Sequence, residues 1–88
     1  MIKIVLNGAC GKMGREICDF AERNDDVEIC ARVDKYGTDC FHSLMEYRGE
    51  ASVVVDFSHH SSAREVLEYA IRRRIPAVIA TTGHTEFE

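Results

Sequence analysis

The sequence is short of the features that mark whole classes of protein. No stretch of its 88 residues approaches the ~20 consecutive apolar residues that a membrane span requires. The first apolar run, Ile2 to Leu6, is interrupted by Lys3 and is too short for the core of a secretory signal. The chain therefore reads as soluble and cytoplasmic. Its four cysteines, Cys10, Cys18, Cys30 and Cys40, show no C-x-x-C spacing. That argues against a zinc ribbon or a thioredoxin-type pair, and for reduced, mostly buried thiols with no metal site. A basic stripe is missing too, since the formal net charge is −4. The one dense cationic run, Arg72-Arg73-Arg74, falls near the end of a predicted helix, where it complements the macrodipole. Three adjacent cations fall far short of a nucleic-acid footprint, so neither nucleic acid nor membrane is expected as a partner. Repeats, low-complexity segments and internal linkers are absent as well.

What is present fits one small globular domain: 45% hydrophobic residues and 30% charged residues of mixed sign. A chain of this size buries roughly 60–65% of its unfolded surface, enough for a modest core. Ile2 to Leu6 is rich in β-branched residues and stops at a glycine cluster, which predicts a buried strand. Met13, Ile17, Phe20 and Ala21 then recur at helical spacing, with Arg15, Glu16, Asp19 and Glu22 turned mostly to water. Asn24-Asp25-Asp26 ends that helix. Val27 to Val33 is a second strand, Lys35 to Asp39 a loop, and Phe41 to Arg48 a short helix. Ala51 to Phe57 carries the run Val53-Val54-Val55, typical of a parallel strand covered on both faces. Ser62 and Glu65 have capping-box spacing. Behind them Ala63, Val66, Leu67, Ala70 and Ile71 form a helical stripe. Pro76 introduces a last strand, Ala77 to Ala80. The order β-α-β-(α)-β-α-β, with crossovers of this length, predicts an α/β fold with a parallel sheet.

The chemistry concentrates in Gly8-Ala9-Cys10-Gly11-Lys12-Met13-Gly14, between the first strand and the first helix. Gly8-x-x-Gly11-x-x-Gly14 in that context is a variant dinucleotide-binding loop. Gly8 permits a tight turn. Gly11 lets backbone approach a pyrophosphate, and Gly14 lets helix and strand pack closely. The free N–H groups opening the helix then face the phosphates. Asp34 ends the second strand 20 residues after Gly14 and is placed to accept hydrogen bonds from the adenosine ribose. Asp34 alone favours NADH, whereas Lys35 beside it offers a partner for a 2′-phosphate, so NADH and NADPH both stay open.

Three segments in order carry a resemblance: the loop from Gly8 to Gly14, then Val55-Asp56-Phe57-Ser58, then Pro76-Ala77-Val78-Ile79-Ala80-Thr81-Thr82-Gly83-His84. Together they resemble the amino-terminal domain of the 4-hydroxy-tetrahydrodipicolinate reductases, the dihydrodipicolinate reductases of lysine (diaminopimelate) biosynthesis in bacteria and plants. The resemblance spans the chain but only roughly the first third of such an enzyme. It implies a Rossmann-type three-layer domain with about four parallel strands in the order 2-1-3-4, strands counted along the chain. It implies that Gly8, Ala9, Cys10, Gly11, Lys12, Met13 and Gly14 hold the pyrophosphate, and that Asp34 and Lys35 hold the adenosine ribose. Phe57 and Ser58 would lie beside the nicotinamide, as would Ala80, Thr81 and Thr82, while Thr82 and Gly83 would reach the substrate. Two departures stand out. Ala80 replaces the first glycine of G-T-T-G, and His60 stands where the family's D-F-[ST]-x-P has proline, so a fixed φ is lost.

His59-His60 is not the family's substrate-domain histidine pair, because it follows the D-F-S turn far too early; it reads as a polar loop, as does His84. The resemblance further implies hydride transfer from NADH or NADPH to the cyclic product of dihydrodipicolinate synthase. The proton donor would lie in a carboxyl-terminal substrate and tetramerisation domain outside residues 1–88. No catalytic residue is therefore expected in this chain, which should bind dinucleotide weakly and not turn over. The last strand would present an edge able to pair in a homodimer. The rival readings are another two-domain dehydrogenase, of sugar-type or aspartate-semialdehyde kind, and a dinucleotide-sensing regulatory module. A protein-interaction module explains neither the glycine loop nor Asp34.

Overall fold

A computed structural model describes residues 1–57 and 63–80. Four strands form one parallel sheet: β1 (Ile2–Asn7), β2 (Val27–Val33), β3 (Val53–Asp56) and β4 (Ala77–Ile79), in the order β2-β1-β3-β4. The helices are α1 (Lys12–Glu22) and α2 (Ala63–Arg73). From β1 the chain steps one way to β2, and from β3 the other way to β4. Right-handed crossovers then place α1 and α2 on opposite faces, giving three layers. This is the Rossmann-type arrangement expected from the resemblance, with β3 beside β1.

Strand alternation divides the apolar residues between the faces. Val5, Ala31, Val33 and Val54 pack with Leu44, Val66 and Tyr69 into one buried cluster on the α2 side. Leu6, adjacent to Val5, is fully buried as well. The register between β1 and β2 slips after Ile4. Ile4 pairs with Ile29 and Val5 with Ala31, so Cys30 is the extra residue of a bulge, and its thiol donates to the Ile4 carbonyl at 3.3 Å.

Several expectations are corrected. The helix predicted over Phe41 to Arg48 is one 3-10 turn, Leu44–Glu46, capped by Ser43, whose hydroxyl accepts from the Met45 N–H. Phe41 cannot join it, because its backbone bridges to Val33 and exchanges bonds with Arg32 and Asp34. On α1, Met13 and Phe20 are exposed, while Gly14 is buried and Ile17, Cys18 and Ala21 are half-buried. The helix is rotated because Gly14, lacking a Cβ, fits against Gly8 and Ala9. On α2, Leu67 and Ile71 are exposed and Tyr69 takes their expected place beside Val66 and Ala70. Tyr69 wins this face because its hydroxyl donates to the Tyr47 carbonyl while its ring is buried. Ser62 lies outside the described residues. Glu65 accepts from the Ser43 hydroxyl at 3.1 Å. All four thiols are free but half-buried rather than buried.

Arg73 ties these parts together. Its guanidinium donates to the Tyr47 carbonyl, the Tyr69 hydroxyl and the Gly49 carbonyl, and lies over both tyrosine rings. Thus one arginine of the cationic run binds the β2–β3 connection to α2. Beyond it, Arg74 N–H bonds to Ile71 O and Ile75 N–H to Ala70 O, with Arg74 at φ 58°. That pair of bonds is a Schellman ending.

Candidate functional site

The carboxyl ends of the parallel strands face one way, and the candidate residues gather there. Gly8 leaves β1 at φ 86°, the left-handed region that glycine enters without steric cost. Both Gly8 and Ala9 N–H groups bond to the Val33 carbonyl, at 2.7 and 3.1 Å, which anchors the turn to the end of β2. A Cβ on Gly14 would stand 2.4 Å from the Gly8 carbonyl oxygen and 2.7 Å from Ala9 backbone atoms. Gly14 is therefore the close-packing glycine.

Gly11 differs. Its backbone is extended, at φ −76° and ψ 176°, and a Cβ there would meet only the Gly8 oxygen at 3.5 Å. Neither conformation nor packing within the protein demands glycine at this position. Gly11 is also the N-cap of α1, with no side-chain cap, and no acidic residue stands in the first turn. The opening amides of α1 thus keep their donor capacity and their positive dipole end. Lys12 and Met13 sit exposed on that first turn.

Asp34 is wired to the same loop. One carboxylate oxygen accepts the Cys10 N–H at 2.9 Å and the other accepts the Tyr36 N–H at 3.0 Å. A carboxylate has about four lone-pair positions, so room remains for hydroxyl donors. A cleft of about 460 Å³ lies between Gly11 and Arg15 on one wall and Asp34, Tyr36, Gly37 and Thr38 on the other. Tyr36 stands at its lip, 88% exposed. Lys35 is exposed beside it. A larger cavity of about 930 Å³ runs along α1 and β2. Asp19, Glu22, Asp25 and Glu28 line it against Arg15 and Arg32, which makes it a poor receptor for phosphate.

The strand-order switch between β1 and β3 is stitched together. The buried Asn7 amide donates to the buried Asp56 carboxylate at 3.1 Å. Phe57 N–H bonds to the Asn7 carbonyl and Ala80 N–H to the Asp56 carbonyl, both at 2.9 Å. Phe57 and Ala80 therefore leave the sheet at the same end as the glycine turn. Ser58, Thr81, Thr82 and Gly83, together with His59, His60 and His84, lie outside the described residues.

Sequence reasoning did not single out Asn7, Gly37 or the closeness of Cys10 and Cys40. The two sulfurs are 3.9 Å apart, and a Cβ on Gly37 would strike both. Burial, and then the hydrogen bond with Cys10, pushes the Cys40 thiol up from its ordinary value. Among the described residues, no group of three His, Cys, Asp or Glu side chains is arranged to hold a metal ion. No described helix is long and apolar enough to cross a membrane.

A parallel sheet with its switch point beside an uncapped glycine turn defines a Rossmann-type α/β domain whose rim is built to accept an anion. The model of the family described as "Dihydrodipicolinate reductase, N-terminus" matches residues 2–88, and the chain belongs to that family. It is 40% identical to the 4-hydroxy-tetrahydrodipicolinate reductase of Caldanaerobacter subterraneus subsp. tengcongensis, over all of this chain and 37% of that protein. It is 37% identical to the reductase of the same name from Clostridium tetani, over all of this chain and 36% of that one. The corresponding protein of Akkermansia muciniphila is 35% identical, over all of this chain and 34% of its own length. The chain thus spans little more than a third of the length of these curated relatives.

Proposed function

We propose that this chain is the NAD(P)H-binding domain of a 4-hydroxy-tetrahydrodipicolinate reductase acting in lysine (diaminopimelate) biosynthesis. The observation that carries the reading is Gly11. A glycine required by neither backbone nor packing, at the uncapped start of α1, keeps open the space that a pyrophosphate would fill. The dinucleotide, when bound, supplies the hydride for reduction. The residues of this chain bind and orient it. The opening amides of α1, from Lys12 to Gly14, face the phosphates beside the bare backbone of Gly11, and Lys12 and Arg15 add positive charge at the rim. Asp34, already fixed by Cys10 and Tyr36, accepts from the adenosine ribose. Lys35 faces a 2′-phosphate when NADPH is the ligand. Phe57 and Ala80 border the nicotinamide, with Ser58, Thr81 and Thr82 in the same two segments, and Thr82 and Gly83 extend toward substrate. The proton donor and the rest of the substrate site belong to a carboxyl-terminal domain.

The test is titration of NADH and NADPH into the chain and into Asp34→Ala. Loss of the ribose acceptor weakens NADH by about 1–3 kcal/mol. Equal affinity of the two proteins for both nucleotides would overturn the assignment of Asp34, and absence of binding to either would overturn the domain's role.

A further inference from the structure

Cys10, which lines the cleft, and Cys40 are separated by 30 positions, yet their sulfurs stand 3.9 Å apart. Three features hold them there. The Cys10 N–H is bound by the Asp34 carboxylate, the Cys40 thiol donates to the Asp34 carbonyl at 3.7 Å, and Asp39 turns the chain into Cys40 at φ 57°. Gly37 lies against both sulfurs. A side chain there would begin 2.3 Å from one and 2.9 Å from the other, wedging them apart. Cys18 and Cys30 are otherwise placed: Cys18 lies on α1, and the Cys30 thiol is engaged by the Ile4 carbonyl.

We propose that Cys10 and Cys40 form a reversible disulfide beside the cleft that Cys10 lines, an oxidative modification site at the glycine turn. The bond length of a disulfide is about 2.05 Å, so the sulfurs need to approach by a little under 2 Å, within the reach of side-chain rotation and a small loop shift. A hydroperoxide is the oxidant. Hydrogen peroxide oxidises the Cys10 thiol to a sulfenic acid and is itself reduced to water. The Cys40 sulfur then attacks the Cys10 sulfur; the S–O bond breaks, the S–S bond forms, and hydroxide leaves with the Cys40 proton as a second water. Two thiols thus lose two electrons and two protons to one peroxide. Cys40 is the resolving sulfur, since its thiol is held above its ordinary pKa by burial and by Cys10.

The consequence for the ligand rests on the dinucleotide reading above. Drawing Cys10 toward Cys40 pulls on the Asp34 contact and twists the backbone between Gly8 and Gly11, which is the surface that a pyrophosphate meets. The oxidised chain therefore binds dinucleotide at least about tenfold more weakly, a difference easily read in a titration.

The experiment treats the reduced 88-residue chain with one equivalent of hydrogen peroxide, following intact mass, proteolytic peptides, circular dichroism and NADH and NADPH affinity. The expected result is a loss of about 2 Da, a cross-linked peptide joining Cys10 to Cys40, weakened nucleotide binding, and reversal of all three by dithiothreitol. Cys40→Ser keeps its nucleotide affinity after the same treatment, whereas a Cys18→Ser, Cys30→Ser double variant still forms the cross-link. Failure of a folded chain to form the Cys10–Cys40 link, or its spread over Cys18 and Cys30, overturns the site. Unchanged nucleotide affinity in the fully cross-linked chain overturns its effect on the cleft. A reduced chain that cross-links yet binds neither nucleotide leaves the disulfide standing and removes the dinucleotide reading instead.

Discussion

Gly11 and Gly14 lie one helical turn apart, and their surroundings assign them different work. Gly14 faces backbone, where a methyl group has nowhere to go; Gly11 faces open space. Gly14→Ala should destabilise the chain by about 1–3 kcal/mol through overpacking, read as a lower urea midpoint, and should lose nucleotide binding with it. Gly11→Ala should change stability by less than about 1 kcal/mol, the scale of an N-cap preference, while losing most nucleotide binding. The pair separates a structural glycine from a ligand-facing one. The turn at Gly8 and the close packing at Gly14 were legible in the glycine spacing, as was the place of Asp34 at the end of β2, because both follow from local chain geometry. The partners of Asp34 were not. The bond to Tyr36, two residues on, is local, but that the carboxylate also grips the Cys10 N–H depends on how two loops meet, and sequence distance carries no trace of that.

Among elements, the strands were the most readable, since β-branched runs bounded by turn residues have few other folds open to them. The rotation of the helices was less so. Both amphipathic stripes were displaced by a single tertiary contact, Gly14 against the first turn on α1 and Tyr69 against Tyr47 on α2. The ending of α2 permits a test. Arg74 holds a left-handed conformation at φ 58°, which costs a non-glycine residue about 1–2 kcal/mol. Arg74→Gly should recover about 1 kcal/mol, measured as a raised thermal midpoint. The Tyr47–Tyr69–Arg73 cluster supplies a second test. The Tyr47 hydroxyl, which donates to the Glu50 carbonyl at 2.7 Å, is pushed up from 10.0 to about 12, first by the neighbouring Cys30 sulfur and then by burial. Below pH 10 this tyrosine is protonated in folded and unfolded chains alike, and its contribution is complete. Between pH 10 and about 12 the unfolded chain releases the proton first, so stability falls across that window. Denaturant midpoints in Tyr47→Phe should fall less steeply there than in the parent.

For the whole molecule, parallel strands send the described candidate residues to one rim, and the order β2-β1-β3-β4 opens a crevice beside β1. That much follows from right-handed crossovers once the elements are known. The proposed function puts the proton donor in a carboxyl-terminal domain rather than at this rim. Steady-state assays of the 88-residue chain with NADH or NADPH and the reductase substrate should show no turnover, while nucleotide binding persists; measurable reduction would place the catalytic acid within this chain after all.

The exposure of Tyr36 has an optical consequence. The chain has no tryptophan and three tyrosines, and the other two, Tyr47 and Tyr69, lie under the Arg73 guanidinium. Tyr36 alone among them stands free at the lip of the cleft, so its ultraviolet emission is a built-in gauge of what settles against it, and Tyr36→Phe supplies the blank.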